Sequence, residues 1–156
     1  MMEIFGPFEA MIGFRAWKIA NGELVSIWRE IPWRNRVICA ECPYPWDHVA
    51  PDPTCSCGVY AHSRLPSRRA VSESVVIWGA VSMWGRRIAH EFEVRTQYAR
   101  IELLASHSST EESGEAGDRP PSQADHELYR IAVRLGINVT TFDRLKTISS
   151  SLARRR

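Results

Sequence analysis

The 156-residue chain is short of long apolar runs. Its longest stretch without a charged side chain, Ser74 to Gly85, spans 12 residues, whereas a membrane helix needs roughly 20. No membrane span is expected. The apolar start, Met1 to Gly13, is interrupted by Glu3 and Glu9 and has no Lys or Arg ahead of it, so it does not read as a secretory signal. Charge of one sign is scarce too. Twenty basic against 18 acidic residues leave a net of +2, which excludes a histone-like polycation and gives no argument of its own for nucleic acid. The chain also carries neither a nucleophile elbow nor a phosphate-binding glycine loop. It has ample material for a core: 44% of its residues are apolar and 10% aromatic. Wholesale disorder is therefore excluded, and one compact domain with a short appendage is expected.

Four cysteines, Cys39, Cys42, Cys55 and Cys57, fall within 19 positions. Without an export signal they point to a reducing, cytoplasmic setting, where clustered thiols serve as metal ligands more often than as disulfides. Prolines at 43, 45, 51 and 53 forbid regular structure between them. A thiolate-bound structural Zn2+ is the economical way to hold such a loop, because zinc binding contributes directly to folding. Gly58 allows the backbone turn that a tight ligand pair needs. Two ligand sets compete: Cys42, His48, Cys55 and Cys57, or the four cysteines with Cys39 in place of His48. Strand alternation from Arg36 to Glu41 puts Cys39 beside Val37, where a small core residue would sit. Either set closes the coordination sphere with protein ligands, which makes the site structural and not catalytic.

The stretch His48 to Ala61 resembles a motif, HxAPxxxCxCG(I/V)YA, found in a group of short, uncharacterised bacterial proteins. The same group has a GFRAWK-like start, matched by Gly13 to Lys18, and a WGxVxxHExxxRAxYA-like element, similar to Trp84 to Ala99. The resemblance covers roughly residues 12–104; the chain departs from it at Arg87 and Thr96. It implies the His48 ligand set, since the motif includes that histidine and not Cys39. It implies no reaction.

Hydrophobic patterning makes residues 1–104 mainly antiparallel β-structure. Ile12 to Ile19 and Leu24 to Trp28 flank Asn21-Gly22, a hairpin signal. With that turn, Trp17 stands opposite Ser26 and Ile19 opposite Leu24, so Trp17, Ile19, Leu24 and Trp28 share a face. The run from Ser74 to Trp84 suits a strand covered on both sides, and Arg87 to Arg95 alternates as a half-buried strand. Gln97 to Leu104 supplies one more short element. Within the alternation His90 faces Ile88 and Phe92, as a hydrogen-bonded core histidine, while Glu91 faces the other way, so the two cannot form an acid–base dyad. An enzyme using His90 stays open as a lesser alternative. Trp33 and Trp46, in loops among prolines and arginines, are expected to cover the metal loop or to form an exposed aromatic platform.

Residues 105–124 carry one basic and four acidic side chains amid Ser, Gly and Pro, the composition of a flexible acidic linker. Residues 125–156 hold two helix signatures. Leu128, Ile131, Ala132 and Leu135 recur at helical spacing with Gly136 as the stop. Thr140 or Thr141 caps a second helix bearing Phe142, Leu145, Ile148 and Leu152. The run Ile131 to Leu145 resembles the helix-turn-helix of bacterial DNA-binding regulators. That resemblance implies Ile137 and Phe142 packed between the helices, and Asn138, Thr140, Thr141 and Arg144 facing a major groove, with Lys146 and Arg154 to Arg156 on phosphates. Two helices of about 30 residues bury no core of their own, so the tail needs the first domain, a second copy or another protein. The expected protein is thus an α+β, mainly antiparallel β domain with a zinc-held proline-rich loop and a two-helix tail. Its expected role is that of a non-enzymatic binding or adaptor module with a protein partner or as a homodimer. A small DNA-binding regulator is the alternative.

Overall fold

The computed structural model describes residues 10–66, 76–106 and 122–155. Asn21 and Gly22 both have positive φ, 52° and 72°, the combination that lets a two-residue turn follow strand twist. They join β1 (Met11–Ala20) to β2 (Glu23–Ser26), with Trp17 opposite Ser26 and Ile19 opposite Leu24 as the spacing predicts. Trp17 and Leu24 are fully buried. Trp28 does not join them. The Ser26 N–H turns to the Ile31 carbonyl and Glu30 N–H bonds back to Ser26, so β2 ends and Trp28 is left 94% exposed.

Two short strands, β3 (Val37–Cys39) and β4 (Val59–His62), precede the long central pair β5 (Ile77–Ala89) and β6 (Glu93–Ser106). The apolar run becomes β5, paired with β1 on one edge and β6 on the other. Its sides feed two core clusters. Ile77, Val81 and Met83 join Trp17, Trp33, Val94 and Ile101 on one face, and Val76, Trp78 and Ala80 join Phe14 and Ala105 on the other. Ser74 and Val75 lie outside the described residues. The alternation over Arg87 to Arg95 is not one strand. β5 ends at Ala89, His90 N–H donates to the Glu93 carbonyl at 2.8 Å, and β6 begins. The turn is His-Glu-Phe, with no glycine, proline or asparagine to mark it in the sequence. Gln97 to Leu104 continues β6 instead of forming a separate element.

The pairings close on themselves. β1 pairs with β5, β5 with β6, β6 with β4, and β4 with β1 through Phe14 and His62. β3 and β4 lie end to end along one edge of β6. Cys39 is opposite Tyr98, Ala40 N–H donates to the Gln97 carbonyl at 2.7 Å, and Val59 is opposite Thr96. They form one strand interrupted by residues 41–58, so the metal-loop candidate begins and ends on neighbouring rungs of the ladder.

The C-terminal elements belong to the same cores. α1 (Gln123–Leu135) opens with a capping box between Ser122 and Asp125 and closes at Gly136 in the left-handed conformation. β7 (Asn138–Thr141) then pairs parallel to β6, and Thr141 caps α2 (Phe142–Ala153) through the Arg144 N–H. Leu128, Ile131, Ala132 and Ile137 enter the Trp17 cluster, while Phe142 and Leu145 enter the Phe14 cluster. This differs from the helix-turn-helix expectation. The residues between the helices are a sheet strand, and Ile137 and Phe142 pack into separate cores of the sheet. The physical reason is the open edge of β6 beyond Glu102, which offers unpaired backbone groups that a β–α–β crossover satisfies. Of the three supports open to the tail, it uses the first domain. β6 extends to Ser106 and Ser122 already caps α1; residues 107–121 of the expected linker lie outside the described residues. Among the described residues, no helix is long and apolar enough to cross a membrane.

Candidate metal centre

The interrupting loop folds back so that Cys42, His48, Cys55 and Cys57 converge, with their ligand atoms all within 4.8 Å of one another. Cys42 Sγ lies 3.7 Å from Cys55 Sγ, and His48 Nε2 lies 3.3 Å from Cys57 Sγ. A disulfide would need about 2.05 Å between sulfurs, so the cysteines are free. A tetrahedral ion bound by thiolates at roughly 2.3 Å sets sulfurs about 3.8 Å apart, close to the observed separation. Of the two competing ligand sets, the one with His48 is the one assembled, and these four residues could hold a metal ion. Cys39 is exposed on β3 and outside the cluster. It is not a core residue either, because the face it shares with Val37 points to solvent at this edge.

Local chemistry fixes each turn of the loop. Asp52 Oδ1 accepts from the Thr54 N–H at 2.9 Å and from its hydroxyl at 2.6 Å, which holds the Asp52 carboxyl below its usual range. Cys55 N–H then bonds to the Asp52 carbonyl at 3.1 Å. The Ala50–Pro51 peptide is cis. Gly58 has φ 125°, and a Cβ there would lie 3.0 Å from Pro51 Cβ and 3.1 Å from Arg95 Cβ. Both the angle and the close approach call for glycine. Cys55, Cys57 and Ala50 are buried in a small cluster of their own, with Ala40 and Cys42 against it. Burial works against a Cys55 thiolate, but hydrogen bonds from Cys57, Cys42 and Ser56 outweigh it and leave the Cys55 thiol below its ordinary value. Burial pushes the Cys57 thiol up. A bound cation deprotonates such thiols outright.

The loop is also tied to the sheet from outside. Arg86 Nη1 donates to the Val49 carbonyl at 3.2 Å, Arg29 Nη2 to Ser56 Oγ at 3.3 Å, and Tyr60 Oη to the Ser56 carbonyl at 2.7 Å. Buried Arg95 donates through Nη1 to the carbonyls of Cys55 and Cys57, the latter at 2.9 Å, and its guanidinium lies 5.6 Å from the Tyr60 ring centre. The spacing of the cysteines gave no hint of Arg95. The one signal was the bacterial-group resemblance, whose second element has an arginine at this position. The structure thus joins the His48–Ala61 stretch to the Trp84–Ala99 stretch physically.

The remaining candidates fall elsewhere. His90 is exposed in the β5–β6 turn beside Phe92, itself 61% exposed, so it is no core histidine. Trp33 is buried edge-on against Trp17, 5.3 Å between ring centres. Trp46 is 56% exposed and stacks on Tyr44 at 4.9 Å. Of the DNA candidates, Asn138 and Thr140 are paired with Leu103 and Ala105 of β6, and Thr141 is occupied as a helix cap. Arg144 and Lys146 are exposed on α2, with Lys146 Nζ 3.5 Å from Asp143. No family model matches the chain, and comparison with curated proteins and with solved structures gave no significant match. The centre itself is therefore its most distinctive feature: three thiols and an imidazole, able to hold a metal ion, on a strand that they interrupt.

Proposed function

We propose that the chain is a non-enzymatic, cytoplasmic binding or adaptor module built on a structural zinc site, and that it associates with a protein partner or a second copy of itself. Closure of the ligand set carries this reading. Three soft sulfurs and one imidazole nitrogen suit Zn2+ and not the hard cations. Four protein donors complete a tetrahedron and leave no position for water or substrate, so the ion would hold the loop and do no chemistry. The binding half rests on exposed apolar surface. Trp28, Ile31, Val37, Tyr44, Trp46 and Val49, six large exposed side chains, all fall in residues 28–49; Tyr44 and Trp46 stack on each other, and exposed apolar groups that adjoin in this way mark contact surfaces. On the helical side, Tyr129 and Val133 stand exposed one turn apart on α1.

Native mass spectrometry of the full-length chain, purified without chelator, tests both halves together. One zinc per chain in a dimer or in a co-purified complex is expected. A folded chain free of metal would remove the reading. The DNA alternative has no observation in its favour beyond exposed Arg144, Lys146, Arg154 and Arg155. Duplex affinity that falls steeply with salt and disappears on Arg144→Ala plus deletion of Arg154 to Arg156 would be needed to restore it. The enzyme alternative is left with an exposed turn histidine.

A further inference from the structure

We infer that Arg95 is the counter-charge of the metal centre, a positioning residue that sets how tightly the four ligands hold their ion. The inference rests on the structural-zinc reading and extends it. A divalent ion bound by three thiolates and a neutral imidazole leaves one net negative charge on the centre. Two of the four ligands, Cys55 and Cys57, are buried, and a negative charge carried partly on them is costly unless an opposite charge answers it.

Arg95 has the matching problem. It is 6% exposed, and none of the ion pairs among the described residues includes it. Its positive charge is met by two carbonyls and one ring face. Those carbonyls belong to Cys55 and Cys57, the two buried ligands, and the ring is that of Tyr60. A buried cation and an anionic centre with two buried ligands, joined by hydrogen bonds through those ligands' own backbone, neutralise each other. The same bonds fix the backbone on either side of Ser56 and hence the spread of the two sulfurs. Lysine keeps the charge but presents a single ammonium in place of the guanidinium fork, and glutamine keeps donors without the charge. The two substitutions therefore separate electrostatics from geometry.

The experiment is a zinc competition against a chromogenic chelator with the full chain, comparing wild type, Arg95→Lys and Arg95→Gln, each also in a Cys42→His background. A second imidazole in place of Cys42 makes the zinc-loaded centre neutral, so the demand for a counter-charge vanishes. Partners of metal ligands typically change affinity 10- to 100-fold. Arg95→Gln is expected to weaken zinc tenfold or more in the native background, Arg95→Lys by a few-fold, and Arg95→Gln by less than threefold beside Cys42→His. Should Arg95→Gln fail to fold alone, its recovery with zinc in the Cys42→His background makes the same point. Equal losses for Lys and Gln, or a Gln loss unchanged by Cys42→His, would overturn the charge role and leave Arg95 as a packing residue. Wild-type chain that takes up no zinc overturns the zinc reading itself, and Arg95 falls with it.

Discussion

Cys39 and Cys42 sit three residues apart and are chemically alike, yet one is an exposed strand residue and the other lies 3.7 Å from Cys55. Spacing could not choose between them, because the choice depends on where β3 stops pairing with β6. Cys39→Ser is accordingly expected to leave zinc content and melting temperature unchanged, whereas Cys55→Ser should bring zinc from one equivalent to near none, with zinc read by native mass spectrometry and melting by circular dichroism. A second residue-scale effect concerns His62, half-buried against Trp78 at 5.8 Å between ring centres. Burial, aided by the Arg15 charge and opposed by Glu93, holds its pKa below the ordinary 6.5. A depressed histidine favours the neutral form in the fold. Its contribution is present above pH 6.5 and is lost as pH falls through the lower folded value. The melting temperature of His62→Gln should therefore fall less than wild type between pH 7 and pH 5. Parallel curves would show that His62 does not contribute.

Strands were legible wherever a turn announced itself or a run was apolar throughout. Asn21-Gly22 placed the first hairpin with its register, and the run before Trp84 gave the doubly covered β5. The β5–β6 turn was illegible because His90, Glu91 and Phe92 continue the alternation on either side. β7 was illegible for another reason: four residues become a strand only because β6 offers an edge reached from 35 positions away, as in Leu103 opposite Asn138. Close approach between elements is equally invisible in sequence. A Cβ on Gly79 of β5 would lie 2.4 Å from the Leu103 carbonyl of β6 and 3.0 Å from the Trp17 ring. Gly79→Ala is expected to cost about 1–3 kcal/mol, measured by denaturant titration with the slope unchanged. A loss under 0.5 kcal/mol would mean that the two strands can spread freely.

At the scale of the molecule, the helices and the sheet complete each other. Leu128, Ile131, Ile137, Phe142 and Leu145 are buried on the sheet, and burial on that scale is worth on the order of 10 kcal/mol, comparable to the net stability of a domain. Truncation after residue 121 should therefore leave a chain without a cooperative thermal transition by circular dichroism. A truncated chain that melts cooperatively would show that the sheet stands alone. The metal loop has the opposite relation to the whole. Its small cluster is separate from both main cores, so chelation is expected to speed amide exchange in residues 41–58 while Val81, Met83 and Ile101 remain slow. Because Ala40 and Val59 occupy adjacent rungs opposite Gln97 and Thr96, the loop is a cassette. Its length and contents can change without altering any pairing of the strand that hosts it. Excising residues 41–58 and joining Ala40 to Val59 should leave a continuous strand in a zinc-free fold, and other loops grafted between the same two rungs would inherit a ready-made scaffold.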